Sequence, residues 1–218
     1  MGMKQSEINS QVLLYASVIL VLIELLTVVV ISQTGLQPLL LIGVARIAES
    51  GFLLFIINRW GGGLEAIGLT WNKVSHGLKK GLIWSAGFGA ASVVTLGILY
   101  FLDFNLLEIF SSPSPSSISG LILLLIVGGF FSPIAEEIFF RGIVYSFLRR
   151  WGIILAILGS AILFSVVHAA ITGISFIQII GSLVFATAYE VEKNLVVPIT
   201  IHVLGNMAIF ALSFLMAL

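Results

Sequence analysis

Residues 118–149 read ISGLILLLIVGGFFSPIAEEIFFRGIVYSFLR. The run is apolar enough to cross a bilayer, yet it carries Glu136, Glu137 and Arg141 within a few residues of one another. At about 1.5 Å per residue it would measure about 48 Å, against a hydrocarbon core of about 30 Å. Either it is a single long, tilted helix bent at Pro133, or a short half-helix precedes a second one. Two full spans would put Arg149 and Arg150 on the outer side, so a single bent crossing is expected.

The rest of the chain fits the same solvent. Of 218 residues, 59% are hydrophobic and 9% charged, and the mean hydropathy is +1.19. A soluble domain carries about 25% charged residues. This chain cannot cover itself with polar groups and must be solvated by lipid. The formal net charge of +0 gives no reason to expect nucleic acid. With Cys 0 there is no disulfide, thiol nucleophile or thiolate metal site.

Apolar runs place spans at roughly 12–32, 36–58, 81–102, 118–149, 152–169, 174–190 and 195–217. The expected fold is an all-α polytopic membrane bundle of about seven (6–8) transmembrane helices around an intramembrane polar cavity. Residues 1–218 are read as a single transmembrane domain. The first run contains Glu24 and lacks a small-residue cleavage pattern, so it reads as a span rather than a cleaved signal. The polar stretch 59–80 could include a short interfacial helix. Lys4, Arg59, Lys73, Lys79, Lys80, Arg149, Arg150 and Lys193 all fall on one side of this topology, which makes that side cytoplasmic and places the N-terminus there. An integral, multi-pass protein of a prokaryotic plasma membrane is expected. Trp60, Trp71, Trp84 and Trp151 suit an interfacial belt.

Ionisable groups inside spans are costly and point to function. Glu24, Arg46 and Glu49 read as structural: Arg46 and Glu49 can pair along one helix, and Glu24 can reach Arg46 across the first hairpin. In the fourth span, Glu137 and Arg141 are four apart and can pair, whereas Glu136 lies about 100° around the helix without that partner. The spacing allows a division of labour, with Glu137–Arg141 structural and Glu136 chemical. It equally allows one interhelical polar lock made of all three. FSVVHAA places His168 near the end of the fifth span, one turn after Phe164. HVLGNM places His202 and Asn206 four apart on one face of the last. Counted from the cytoplasmic side, Glu136 lies about 20 Å deep, His168 about 26 Å and His202 about 13 Å. These depths scatter around the mid-membrane and do not establish convergence.

Several chemistries are absent. Asp103 is the sole aspartate, so there is no aspartyl dyad. Neither His168 nor His202 opens an H-E-x-x-H pattern, and no G-x-S-x-G elbow occurs. Hydrolysis by an activated water fits what is left. Two other classes compete. A small proton-coupled transporter would also use intramembrane Glu and His, but would show matched halves, and here the polar residues concentrate in the second half. A catalytically silent scaffold has little reason to hold His202 and Asn206 beside paired glutamates.

Glu136-Glu137-x-x-x-Arg141, Phe164-x-x-x-His168 and His202-x-x-x-Asn206, in that order, resemble the three motifs of the CAAX-protease and bacteriocin-processing (CPBP, Abi) family of intramembrane endopeptidases. The Ras-converting CAAX endopeptidase is a member. The resemblance covers residues 132–206. It implies that Glu136 and His168 activate water, that His202 and Asn206 donate to the oxyanion, that Glu137 and Arg141 position the first pair, and that Phe164 shapes the cavity. The substrate would be a membrane-embedded or C-terminally anchored protein or peptide. The family has been described both as metal-dependent and as glutamate-type. A zinc site usually needs three protein ligands. Glu136, His168 and His202 could serve, but that leaves Asn206 and Glu137 without a role. No cofactor is therefore expected, with zinc as the alternative.

Overall fold

The computed structural model describes residues 8–104, 115, 117–172 and 176–216, with the side chains of 170–172 excepted. These residues form seven principal helices, and the all-α membrane bundle expected from the sequence is what the chain adopts. They are α1 (Ser10–Gln33), α2 (Pro38–Trp60), α3 (Val74–Phe101), α4 (Ile118–Trp151), α5 (Ile153–Thr172), α6 (Phe176–Glu192) and α7 (Val196–Met216). Five stretches, 10–33, 38–60, 64–101, 118–151 and 196–216, are long and apolar enough to cross a membrane. Leu25, Leu26, Val28 and Val29 on α1 are 54–63% exposed. Such a face is stable against acyl chains and would be a liability in water.

Local chemistry fixes the helix ends. The side chain of Asn9 caps α1 by accepting from Val12 N at 3.0 Å. Gln37 caps α2 from Leu40 N at 2.8 Å, and Pro38 occupies the first turn, where its missing N–H costs nothing. Ser117 caps α4 by accepting from Gly120 N at 3.1 Å. The turn from α4 to α5 runs through Gly152 at φ 117°, a conformation that a side chain would strain.

The stretch between α2 and α3 holds two short 3₁₀ turns, Leu64–Ile67 and Trp71–Lys73, rather than a regular interfacial helix. The third helix starts at Val74, seven residues before the expected position. Lysines are good helix formers, so Lys79 and Lys80 end the apolar run without ending the helix. The early start also serves packing. A Cβ on Gly77 would lie 2.7 Å from Asn194 Nδ2, and one on Gly81 would lie 2.5 Å from Thr200 Cβ. This pair, spaced G-x-x-x-G, lets α3 and α7 touch backbone to side chain. Trp84 ties α3 to α6: its indole N–H donates to Glu192 at 3.1 Å.

The long fourth helix is continuous, but not in the expected way. It is not simply bent at Pro133. Its ladder widens to π geometry over Val127–Phe131, returns to α over Ser132–Glu137, and widens again over Ile138–Tyr145. Wide turns of this kind re-aim side chains and recur at functional sites. The six-residue α segment between them holds Glu136 and Glu137.

Around α4 the remaining helices close the bundle. The core gathers Val12 and Ala16 of α1, Leu53 and Ile57 of α2, Ile138, Ile143 and Tyr145 of α4, and Ala186 and Tyr189 of α6. Where α4 ends and α6 leads into α7, Glu190 collects Tyr145, Lys193 and the guanidinium of Arg149, the last through two bonds of 3.0 Å. The first hairpin pairs as expected, with Arg46 at 2.5 Å from both Glu24 and Glu49.

Candidate active site

Three helices deliver the polar side chains to one place. From α4 come Glu136, Glu137 and Arg141; from α5, Phe164 and His168; from α7, His202 and Asn206. The neighbouring carboxylates face different surroundings. Glu137 and Arg141 are both 0% exposed, and Arg141 Nη1 donates to Glu137 Oε1 at 2.8 Å. Glu136 retains 19% side-chain exposure and sits beside both histidines.

The ring nitrogens can be assigned from their partners. His168 Nδ1 lies 2.9 Å from the carbonyl of Phe164, which can only accept, so Nδ1 carries the proton. His202 Nδ1 lies 2.8 Å from Glu137 Oε1, a carboxylate oxygen already ion-paired to Arg141, so this nitrogen donates as well. Both Nε2 atoms then face Glu136. Its Oε2 is 3.7 Å from His168 Nε2 and 3.6 Å from His202 Nε2. Both separations exceed a hydrogen bond, and Glu136 Oε2 is buried without a hydrogen-bond partner. With neutral imidazoles, three lone-pair atoms converge. Only a donor satisfies such a set: a water bridging two of them at about 2.8 Å each, or a proton on one ring.

Aromatic faces hold the rings and the guanidinium. His168 stacks on Phe164 at 4.1 Å between centroids, and His202 stacks on Phe185 at 4.5 Å. The Arg141 guanidinium lies 5.1 Å from the Phe164 centroid and 5.3 Å from that of Phe185. Its Nη2 also donates to Ser182, to the hydroxyl at 2.6 Å and the carbonyl at 3.0 Å. Phe185 and Ser182, both on α6, are site neighbours that the sequence reading missed. Nothing distinguishes a phenylalanine and a serine in an apolar span until the fold shows what they face.

Asn206 is anchored rather than free. Its Nδ2 donates to the carbonyl of Gly128 at 3.0 Å. A carbonyl only accepts, which fixes the orientation of the amide and leaves one N–H of Nδ2 uncommitted by that bond. The structure thus brings Glu136, His168 and His202 within 3.7 Å of a common point on Glu136. Asn206 sits one turn beyond His202 on α7.

As a donor set, one carboxylate and two imidazoles suit zinc. Among the described residues, however, no group of three or more His, Cys, Asp or Glu is arranged to hold a metal ion.

No curated protein and no solved structure matches the chain at a significant level. Residues 118–208, which contain the three motifs and all the residues of this site, match the family model described as type II CAAX prenyl endopeptidase Rce1-like, and the resemblance of the motifs to the CAAX-protease family is shown at that level.

Proposed function

We propose that the protein is a glutamate-type intramembrane endopeptidase that hydrolyses a peptide bond of a membrane-embedded or C-terminally anchored protein. One observation carries this reading: the buried, unpartnered Oε2 of Glu136 faces the Nε2 atoms of His168 and His202. In the reaction Glu136 takes a proton from a water whose oxygen attacks the scissile carbonyl carbon, while the neutral His168 Nε2 accepts from the same water and aims it. The carbonyl oxygen becomes an oxyanion. His202, whose Nδ1 hydrogen is held by Glu137, donates to it from Nε2 when that nitrogen carries a proton. Asn206 donates from its second Nδ2 hydrogen. Preorganised donors of this kind supply the largest part of such catalysis. Glu136 then returns its proton to the leaving nitrogen as the C–N bond breaks. The lysine and arginine distribution supports a cytoplasmic N-terminus in a prokaryotic plasma membrane.

The test uses purified protein in detergent with co-expressed membrane substrates and mass spectrometry of the fragments. Wild type is compared with Glu136→Gln, with and without chelator. Cleavage that requires Glu136 and survives chelation is expected. Wild-type rates from Glu136→Gln would overturn the water-activation step, and loss on chelation would overturn the metal-free reading.

A further inference from the structure

The Asn206 anchor has a cause in the sequence of α4. In the wide turn over Val127–Phe131, the N–H of Ser132 donates to Val127 O, five residues back. The next carbonyl in that register is Gly128 O, and its partner would be the N–H of residue 133. Residue 133 is proline and has no N–H. Gly128 O is therefore left without a donor from its own helix, in the interior of a membrane bundle, where an unpaired carbonyl is costly. Asn206 Nδ2, on α7, supplies the missing hydrogen at 3.0 Å.

We infer that Pro133 is a positioning residue for Asn206. By withholding one main-chain N–H it frees Gly128 O, and that carbonyl holds the amide so that its other hydrogen is turned toward the site. Two further observations fit. Pro133 stands three residues before Glu136 in the same short α segment, so one stretch carries both the proposed base and the proline that frees the amide's anchor. The ring of Phe210, one turn beyond Asn206 on α7, packs against Gly128: a Cβ there would lie 3.0 Å from the ring. The two helices therefore meet closely at this carbonyl.

The inference rests on the proposed role of Asn206 in hydrolysis, but its central claim can be read without substrate. Pro133→Ala restores an N–H that competes for Gly128 O. Removing a proline from within a helix ordinarily stabilises it or leaves it unchanged. Midpoints of thermal unfolding in detergent would be measured for wild type, Pro133→Ala, Asn206→Ala and the double variant. Asn206→Ala should lower the midpoint when made in wild type, and by clearly less when made on top of Pro133→Ala, where Gly128 O has its own donor. Equal losses in both backgrounds would overturn the inference.

Cleavage adds a second readout. Pro133→Ala should lower kcat by about three- to tenfold, the worth of one hydrogen bond, with KM nearly unchanged and the unfolding midpoint no lower than wild type. A purely structural proline predicts no such loss of activity at undiminished stability, and an unchanged kcat would overturn the positioning role. If Glu136→Gln retained wild-type cleavage, the hydrolytic reading would fail, while the stability cycle would still decide whether Pro133 frees the carbonyl for Asn206.

Discussion

Arg141 is the most demanding residue in the bundle, and replacing it should separate its cost from its use. The side chain is 0% exposed and makes bonds of 2.8 Å to Glu137, 3.0 Å to Ser182 O and 2.6 Å to Ser182 Oγ. Arg141→Met keeps an apolar stem but strands the Glu137 carboxylate, with only His202 Nδ1 left as a polar partner. Breaking one member of a buried ion pair costs about 3–5 kcal/mol. For a chain of this size, at about 2–4 °C per kcal/mol, the unfolding midpoint should fall by about 6–20 °C. The companion variant, Glu137→Leu with Arg141→Met, removes both charges. Well-packed apolar pairs are often as stable as the ion pair they replace, so most of the lost midpoint should return. Cleavage should not return, because His202 would have lost the acceptor that orients its ring. Tryptophan fluorescence or circular dichroism in detergent would read the midpoint, and mass spectrometry the cleavage. A single variant melting within about 2 °C of wild type would refute the argument that this guanidinium is required by a buried carboxylate. So would a double variant no more stable than the single.

Other perturbations follow from the same contacts. Phe185→Leu removes the flat face stacked on His202 at 4.5 Å; kcat should fall about tenfold, consistent with the sensitivity of catalysis to small misplacements, and Val197→Ala, in the same apolar cluster, should lower stability without that loss. Gly81→Leu should push α3 off α7, because a Cβ there already meets Thr200 at 2.5 Å; overpacking of this kind costs about 1–3 kcal/mol and should be visible as a lowered unfolding midpoint. With Cys 0 in the chain, single cysteines can report topology directly. Thr34→Cys should react with an impermeant maleimide from outside intact cells, and Asn72→Cys only after permeabilisation; the reverse pattern would invert the orientation.

What could be read from the sequence was what local spacing determines. Glu137 with Arg141, and Arg46 with Glu49, are neighbours along single helices, and both pairs form. Hydropathy located the seven helices among the described residues, five of them in stretches long and apolar enough to cross a membrane, because lipid solvation imposes a length and a composition on a span. Convergence was not legible. Depth along an axis carries no information about tilt or azimuth, and counted depths from about 13 to about 26 Å end in contacts of 3.6 and 3.7 Å. The register of α4 was only half legible: Pro133 signals a disturbed ladder, but whether a helix bends or widens depends on what can partner the freed carbonyl, and that partner lies on α7. The Gly77-x-x-x-Gly81 contact carried a recognisable pattern, yet it lay partly in a stretch whose lysines look like a loop when hydropathy is the only guide. Phe185 and Ser182 had no signal, since aromatic and hydroxyl side chains are ordinary in apolar spans.

The two arrangements that the spacing of Glu136, Glu137 and Arg141 left open make different demands on unpaired atoms. A polar lock that holds helices together gains only if its groups satisfy one another, because each buried polar atom left over costs free energy in a medium without water. Glu137 and Arg141 go part of the way, through each other, Ser182 and His202, although Glu137 Oε2 and Arg141 Nε are themselves buried without a hydrogen-bond partner. Glu136 does not. Its Oε2 is buried without a hydrogen-bond partner and faces two imidazole nitrogens whose other ring atoms are already committed to Phe164 O and Glu137. A lock would have brought a donor within hydrogen-bond distance of that oxygen, and both ring nitrogens stay at 3.6 and 3.7 Å. Two acceptors aimed at one point, Glu136 Oε2 and His168 Nε2, form a poor tie between helices and, on the proposed mechanism, a good receptacle for a water molecule that must give up a proton. On the proposed mechanism adjacent residues on one helix thus serve opposite ends, with the buried Glu137–Arg141 pair holding His202 through Glu137 Oε1 and Glu136 left to act on water.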